Sequence, residues 1–315
     1  MTNMNPLIRL FFVILCLSAQ SGHAVGLLPI PVLKDVQIRA EARLDTTRGW
    51  YVYSYAVSNS TLSTGQIWDI KIDILNSYGT RLDTTGLTIA IGSKRHDFQS
   101  ELDALRRIVT PQNFVPVGQN VPPGWHGGLG REGVASFSSG HASVRIKPGF
   151  NLSGFELFSP GLPAIRDVQL IPKWVFLVDD HENVTLSERQ AAGQSELDMI
   201  YKTVTLGPSG VDRGSFAHWN LLRDDLARAI QLGWFPDAAL ANALTIQLAD
   251  ARAALDARDL YLTHQRLDVL FATISASTPI QRTSEGHGLM YFNVKAIIES
   301  TMRSPRRAKD TSQAM

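Results

Sequence analysis

The stretch "GWHGGLGREG" at residues 124–133 combines two patterns that can carry chemistry. Its His-Gly-Gly is typical of oxyanion-binding loops, and three of its glycines have the Gly-x-Gly-x-x-Gly spacing of a dinucleotide-binding turn. A dinucleotide turn must follow a parallel strand and open a helix, whereas "NVPP" precedes this stretch and β-forming "VASFSS" follows it. An oxyanion loop needs a nucleophile, and the sequence contains no Gly-x-Ser-x-Gly turn. We therefore predict a glycine-rich surface loop between strands, with Trp125 and His126 at its tip as candidate ligand-binding residues.

The densest cluster of metal-binding side chains is "DDHEN" at residues 179–183, directly after an apolar segment that predicts a strand. Carboxylates in a loop at a strand end are ligands that Ca²⁺ prefers. Adjacent residues on an extended chain point to opposite sides, however, and the cluster lacks the Asp-x-Asp-x-Asp spacing by which one loop wraps an ion. The sequence favours a solvated acidic loop and no cofactor, with a structural Ca²⁺ bound by Asp179, Asp180 and Glu182 as the alternative.

The other polar residues form no catalytic signature. The eight histidines are scattered, without the His-Glu-x-x-His or His-x-His spacing of common zinc sites. A glycoside hydrolase needs two carboxylates across a cleft, and chain spacing cannot identify such a pair. We therefore predict no catalytic residues.

Aromatic residues are the remaining candidates for ligand contact. Tyr51, Tyr53 and Tyr55 alternate along one predicted strand, and such a row is either a stacking platform for sugar rings or part of the core. The core interpretation is favoured because buried aromatic rings stabilise a fold strongly. Trp125 lies between glycines, and we expect it to be exposed.

The first two thirds of the chain have the period of β-strands. In "IWDIKIDIL" the apolar and charged residues alternate, which predicts a strand with one buried face and one solvated face. Similar short segments follow, separated by Gly, Pro, Asn and Ser. The pattern predicts an antiparallel β-sandwich of the Ig-like type over residues 25–206.

The remainder has the period of α-helices. After a predicted linker at residues 207–216, amphipathic segments run from residue 217 to 301. Gly233 predicts the end of the first helix, and "PD" at residues 236–237 predicts the start of the next. Short connections between such segments predict a bundle of three to four helices.

Both parts of the sequence resemble known types of bacterial domain. The segments "GWFPDAALANALTIQLADARAALDARD", "RLDVLFATIS" and "GLMYFNVKAII" resemble the small helical FIMAH modules of secreted and surface bacterial proteins. The Tyr-x-Tyr-x-Val-x-Asn pattern ending at Asn59, with the glycines of residues 148–155, resembles exported bacterial β-sandwich domains. Both resemblances imply an accessory or binding role, without catalytic residues.

A cleaved signal peptide is predicted for residues 1–24. Arg9 precedes an apolar run that is too short to span a bilayer, and the small residues Gly22 and Ala24 mark a cleavage site. Cleavage would remove Cys16, the single cysteine of the chain. We expect the mature chain to contain no disulfide and no transmembrane segment.

The formal net charge of +1 falls to about zero when Arg9 is removed with the signal peptide. A neutral chain has no bulk attraction to nucleic acid, so nucleic acid is not a predicted partner. The basic segment at residues 302–315 is polar and short, and we predict that it is a disordered tail.

These observations predict a protein exported to the periplasm, the cell surface or the extracellular space of a bacterium. We expect a non-catalytic binding or structural role, with a polysaccharide or another protein as partner. The alternative is a secreted hydrolase of polysaccharide or protein, with its site in the sandwich loops.

Overall fold

The structure is a computed structural model that describes residues 31–75, 115, 117–129, 133–173 and 199–312. Within these ranges the chain forms nine β-strands followed by four α-helices. The prediction of antiparallel sheets followed by helices is confirmed. No helix of the described ranges is both long enough and apolar enough to cross a membrane.

The strands form two antiparallel sheets. They are β1 (Gln37–Asp45), β2 (Trp50–Ser58), β3 (Ile67–Asp73), β4 (Gly118–Asn120), β5 (Trp125–Leu129), β6 (Val134–Ser139), β7 (Asn151–Ser159), β8 (Leu162–Pro172) and β9 (Tyr201–Ser209). The first sheet has the order β1-β2-β7-β4 and the second has the order β5-β6-β3-β8-β9.

Aromatic rings join the two sheets. Phe155 on β7 contacts Phe137 on β6, with ring centroids 5.4 Å apart. Tyr51, Tyr53 and Tyr55 on β2 are all buried, which confirms the predicted core role of this row. The Tyr53 hydroxyl donates to the carbonyl oxygen of Gly161 at 2.7 Å, and burial raises its pKa well above the ordinary value. The tyrosine therefore acts as a neutral core residue with a satisfied polar end.

The first three helices begin and end close to the residues that the sequence predicts. The four helices are α1 (Phe216–Gln231), α2 (Ala238–Asp256), α3 (Leu260–Ala276) and α4 (Ser284–Ser312). Asp237 caps α2 by accepting hydrogen bonds from two backbone N–H groups. Gly233 follows α1 with φ +73°, the left-handed conformation that favours glycine.

Two boundaries differ from the predicted ones. Strand β9 continues to Ser209, so the connection to α1 is shorter than the predicted linker and comprises residues 210–215. The backbone of α4 is helical as far as Ser312, through most of the segment predicted to be a disordered tail. Arg, Lys, Ala and Met are good helix formers, so this segment can extend an established helix despite its polarity.

The helices pack directly on the sheets. The Glu285 carboxylate on α4 accepts the Ala40 backbone N–H of edge strand β1 at 2.7 Å. The Phe292 ring of α4 contacts Tyr51 edge to face, with centroids 5.2 Å apart. Helix α4 thus covers a strand edge that would otherwise expose unpaired backbone groups.

Candidate functional site

The predicted loop tip at Trp125 is a strand. Residues Trp125–Leu129 form β5, which pairs with β6 at the edge of the second sheet. Trp125 is only 3% exposed, and its ring packs edge to face on Phe155 with centroids 4.9 Å apart. The indole N–H donates to the carbonyl oxygen of Val144 at 3.1 Å. The predicted exposure of Trp125 is therefore wrong, because a distant phenylalanine covers the ring and its polar group has a partner.

His126 follows Trp125 in β5 and is exposed. Successive side chains of a strand point to opposite faces, so the two candidate ligand-binding residues do not converge on one site. Ligand binding by His126 stays a prediction.

The predicted Ca²⁺ ligands Asp179, Asp180 and Glu182 lie outside the described residues, and the metal site stays a prediction. Among the residues that the structure does describe, no three His, Cys, Asp or Glu side chains lie close enough to hold an ion.

One serine and one aspartate meet on the second sheet. Ser138 on β6 donates its hydroxyl proton to the Asp69 carboxylate on β3 at 2.8 Å, and burial raises the pKa of that carboxyl. His126 lies opposite Ser138 in the β5–β6 pair. In a nucleophilic triad the histidine stands between serine and carboxylate. Here the serine bonds the carboxylate directly, so this geometry does not activate the hydroxyl.

A shallow groove lies between the end of β6 and the start of β7. It is lined by residues 143–147 and 150–152 and has a volume of about 200 Å³. We call it the Phe150 groove, because the Phe150 side chain at its margin is 64% exposed. Arg145, Lys147, Asn151 and Leu152 also line it.

A tight turn sets the position of Phe150. The Phe150 N–H donates to the carbonyl oxygen of Lys147 at 3.1 Å, and Gly149 between them has φ +80°. Proline followed by glycine with positive φ is the arrangement of a type II turn. The turn reverses the chain before β7 and leaves the Phe150 ring in solvent.

Asn59 anchors this turn from the neighbouring chain segment. Its backbone exchanges two hydrogen bonds with the turn, from the Asn59 N–H to Phe150 at 2.9 Å and from the Gly149 N–H to Asn59 at 2.8 Å. The Asn59 side chain is 2% exposed and donates to the carbonyl oxygens of Gly65 and Ile146 at 2.9 and 3.0 Å. Asn59 therefore positions the groove without lining it.

Ile146 sets the direction of the two cationic side chains. It is buried and exchanges both backbone hydrogen bonds with Ile67, at 3.0 and 3.1 Å. Because side chains alternate along extended backbone, the Arg145 and Lys147 side chains lie on the side opposite that of Ile146, and all three residues line the groove. The buried Trp125 indole N–H donates to the carbonyl oxygen of Val144, which is one of the lining residues, and so fixes the position of that residue.

Electrostatically, the groove is cationic. The described residues that line it include two cations and no carboxylate. The Arg145 Nε atom is buried and has no hydrogen-bond partner.

Sequence reasoning missed this groove. All of its lining residues lie within residues 143–152, but the turn that shapes it is held by Asn59, a residue far away in the chain. The available signal was the "KPGF" turn at residues 147–150, which predicts a reversal with an aromatic residue at its end.

No model of a known protein family matches the sequence, and no curated protein matches it at a significant level.

Proposed function

We propose that this chain is an exported, non-catalytic binding protein of the bacterial envelope or extracellular space, and that it contacts a polysaccharide through the Phe150 groove. In this proposal the strand-rich part is an Ig-like sandwich and the helical part is a FIMAH-like module. The signal-peptide pattern supports export to the periplasm, the cell surface or the medium.

The exposure of Phe150 carries the proposal. A phenylalanine that stays in solvent forgoes about 2 kcal/mol of burial free energy, yet this ring is 64% exposed beside a groove. The C–H face of a sugar ring packs well on an aromatic face, whose π electrons carry partial negative charge. Polar groups of Arg145 and Asn151 at the same groove provide hydrogen bonds for hydroxyl groups.

The size of the groove favours a sugar polymer over a folded protein. Drug-sized ligands occupy pockets of about 300–1,000 Å³, and the Phe150 groove has about 200 Å³. It therefore fits one ring of a longer chain. A stable protein partner buries at least about 1,000 Å², which is far more than this groove presents.

Retention on polysaccharides tests the proposal. The chain from residue 25 onward is passed over immobilised glucan, chitin and polygalacturonate, together with the Phe150→Ala variant. Loss of one ring contact should weaken retention on the bound polymer about tenfold. Tyr261→Ala is the matched control, because Tyr261 is 74% exposed on α3, away from the groove.

Equal retention of the Phe150→Ala variant and the wild-type chain, or no retention on any polymer, would contradict the proposal. Reducing ends are measured in the same samples. Their release would instead support the secreted hydrolase, the alternative function, for which the sequence predicts a site in the sandwich loops and no particular catalytic residue.

A further inference from the structure

The charges of the Phe150 groove lead to a narrower inference, which rests on the proposed function. We propose that the groove selects acidic polysaccharides, and that Arg145 and Lys147 bind the carboxylate of a uronic acid whose ring packs on Phe150.

The first support is the lack of acidic neighbours. Some other basic side chains have a carboxylate partner, for example Arg228 with Asp167 at 3.0 Å and Arg252 with Asp256 at 2.9 Å. Among the described residues, no carboxylate lies within ion-pair distance of Arg145 or Lys147. Two cations that share one groove without a carboxylate attract an anion.

The second support is the chemistry of the Arg145 side chain, which lines the groove. The guanidinium group presents parallel donors that match the two oxygens of a carboxylate. A neutral sugar hydroxyl satisfies one such donor, whereas a carboxylate satisfies two.

The third support is the rigid placement of the cations relative to the ring. Ile146 is fixed between them by two backbone bonds to Ile67, and Asn59 fixes the turn that holds Phe150. Charge and aromatic surface are therefore held together before any ligand arrives, which lowers the entropic cost of binding. An aromatic face beside a carboxylate site, in a groove the size of one ring, favours a uronic acid over an acidic peptide.

The test compares two polymers that differ only in charge. Oligomers of polygalacturonate and their methyl esters have the same sugar backbone, but the ester has no carboxylate. Titration calorimetry with the chain from residue 25 onward should show binding at least about tenfold weaker for the ester, because the charge-assisted hydrogen bonds are lost. Added salt should weaken binding of the acid and leave binding of the ester unchanged.

Variants assign the effect to the groove. Arg145→Gln and Lys147→Gln should each reduce affinity for the acid towards that of the ester, whereas Lys202→Gln, at an exposed position of β9, should bind like the wild-type chain. The comparison of the acid with its ester uses the wild-type chain, so it decides the question even if a variant unfolds.

The outcomes separate this inference from the proposed function. Equal binding of acid and ester, both weakened by Phe150→Ala, would overturn charge selection and leave polysaccharide binding intact. Retention on none of the polymers would overturn the proposed function itself. Binding of polyglutamate as tight as that of polygalacturonate, and equally sensitive to Arg145→Gln, would overturn the uronic acid in favour of an acidic peptide.

Discussion

The Phe150 groove and the contact between the helices and the sheets both contain polar side chains, but they use them in opposite ways. At the contact, His218, Asn293 and Glu285 are buried and hydrogen-bonded. At the groove, Arg145 and Lys147 have no acidic partner among the described residues. Paired polar groups fix the arrangement of the fold, whereas unpaired charges are free to bind a ligand. In our proposal, this difference in pairing distinguishes the groove from the contact.

The contact is organised by Asn293 on α4. Its amide donates to the carbonyl oxygens of Pro163 on β8 and Leu289 at 2.7 and 2.6 Å. Its carbonyl oxygen lies 2.8 Å from His218 Nε2, and the Gly214 N–H donates to His218 Nδ1 at 2.9 Å. Nδ1 therefore carries no proton and Nε2 is the donor. Burial lowers the pKa of His218, which keeps this neutral form.

Asp225 on α1 also lies at this contact, where burial disfavours its charged form. Its carboxylate accepts the Ile165 N–H of β8 at 3.1 Å, but burial raises its pKa to about 6. Hydrogen bonding and the charges of Arg166 and Arg228 oppose this shift without cancelling it. The ionised form of Asp225 is therefore less favourable at this contact than the neutral form.

The largest expected change in the free energy of unfolding comes from removing the side-chain amide of Asn293. Asn293→Ala leaves the Pro163 carbonyl oxygen and the His218 N–H buried without partners, at about 1–3 kcal/mol each. We expect the free energy of unfolding to fall by about 3 kcal/mol, measured by urea denaturation. Asn242→Ala, at an exposed position of α2, should change it by less than about 0.5 kcal/mol. Similar losses for both variants would show that the buried network does not hold the contact.

A smaller effect, with the opposite sign, is expected for Asp225→Asn. The amide keeps an acceptor for Ile165 and cannot ionise. The folded pKa of Asp225 is about 6, above the unfolded value of about 4, so its contribution to stability is present below about pH 4 and is lost as the pH rises through 6. Relative to the wild-type chain, the variant should gain about 2–3 kcal/mol near pH 8 and little near pH 4.

The quantity to measure is the difference in the free energy of unfolding between Asp225→Asn and the wild-type chain at each pH. The absolute values are less informative, because buried histidines change stability with pH in the opposite direction. Burial, together with the nearby Arg282, lowers the pKa of His287 to about 4, so stability is lost as the pH falls from about 6.5. This loss is common to both chains and cancels. Asp224→Asn is the control, since Asp224 is exposed beside Arg223. A pH-independent difference for Asp225→Asn would contradict the assigned pKa.

How far the sequence predicts this molecule depends on whether a feature is local. Alternation along β2 placed Tyr53 and Tyr55 in the core, and the Asp237 cap marked the start of α2, because both signals lie within one element. Glycines around Trp125 indicated a loop, yet Phe155 from another strand buries the ring. The chain cannot reveal such a partner by spacing alone.

The lining residues of the groove are neighbours in the chain, but the residue that anchors its turn is not. In the sequence Asn59 is an ordinary polar residue at the end of a predicted strand. Its hydrogen bonds to Phe150 and Ile146 exist only in the folded chain. The pairing of charges is equally invisible in the sequence: Arg145 and Arg166 look alike there. In the structure Arg166 is buried and donates to the carbonyl oxygens of Pro208 and Leu75 at 2.6 and 2.8 Å.

The smallest expected change in stability is that of Arg145→Gln, and Arg166→Gln is the contrasting variant. Arg145→Gln removes a cation that makes no ion pair, and its buried Nε has no partner to lose. We therefore expect the free energy of unfolding to change by less than about 0.5 kcal/mol in urea denaturation. Arg166→Gln, by contrast, breaks the bonds to Pro208 and Leu75 and should cost about 3 kcal/mol. A large loss for Arg145→Gln would make the groove cation structural and remove the distinction between the two regions.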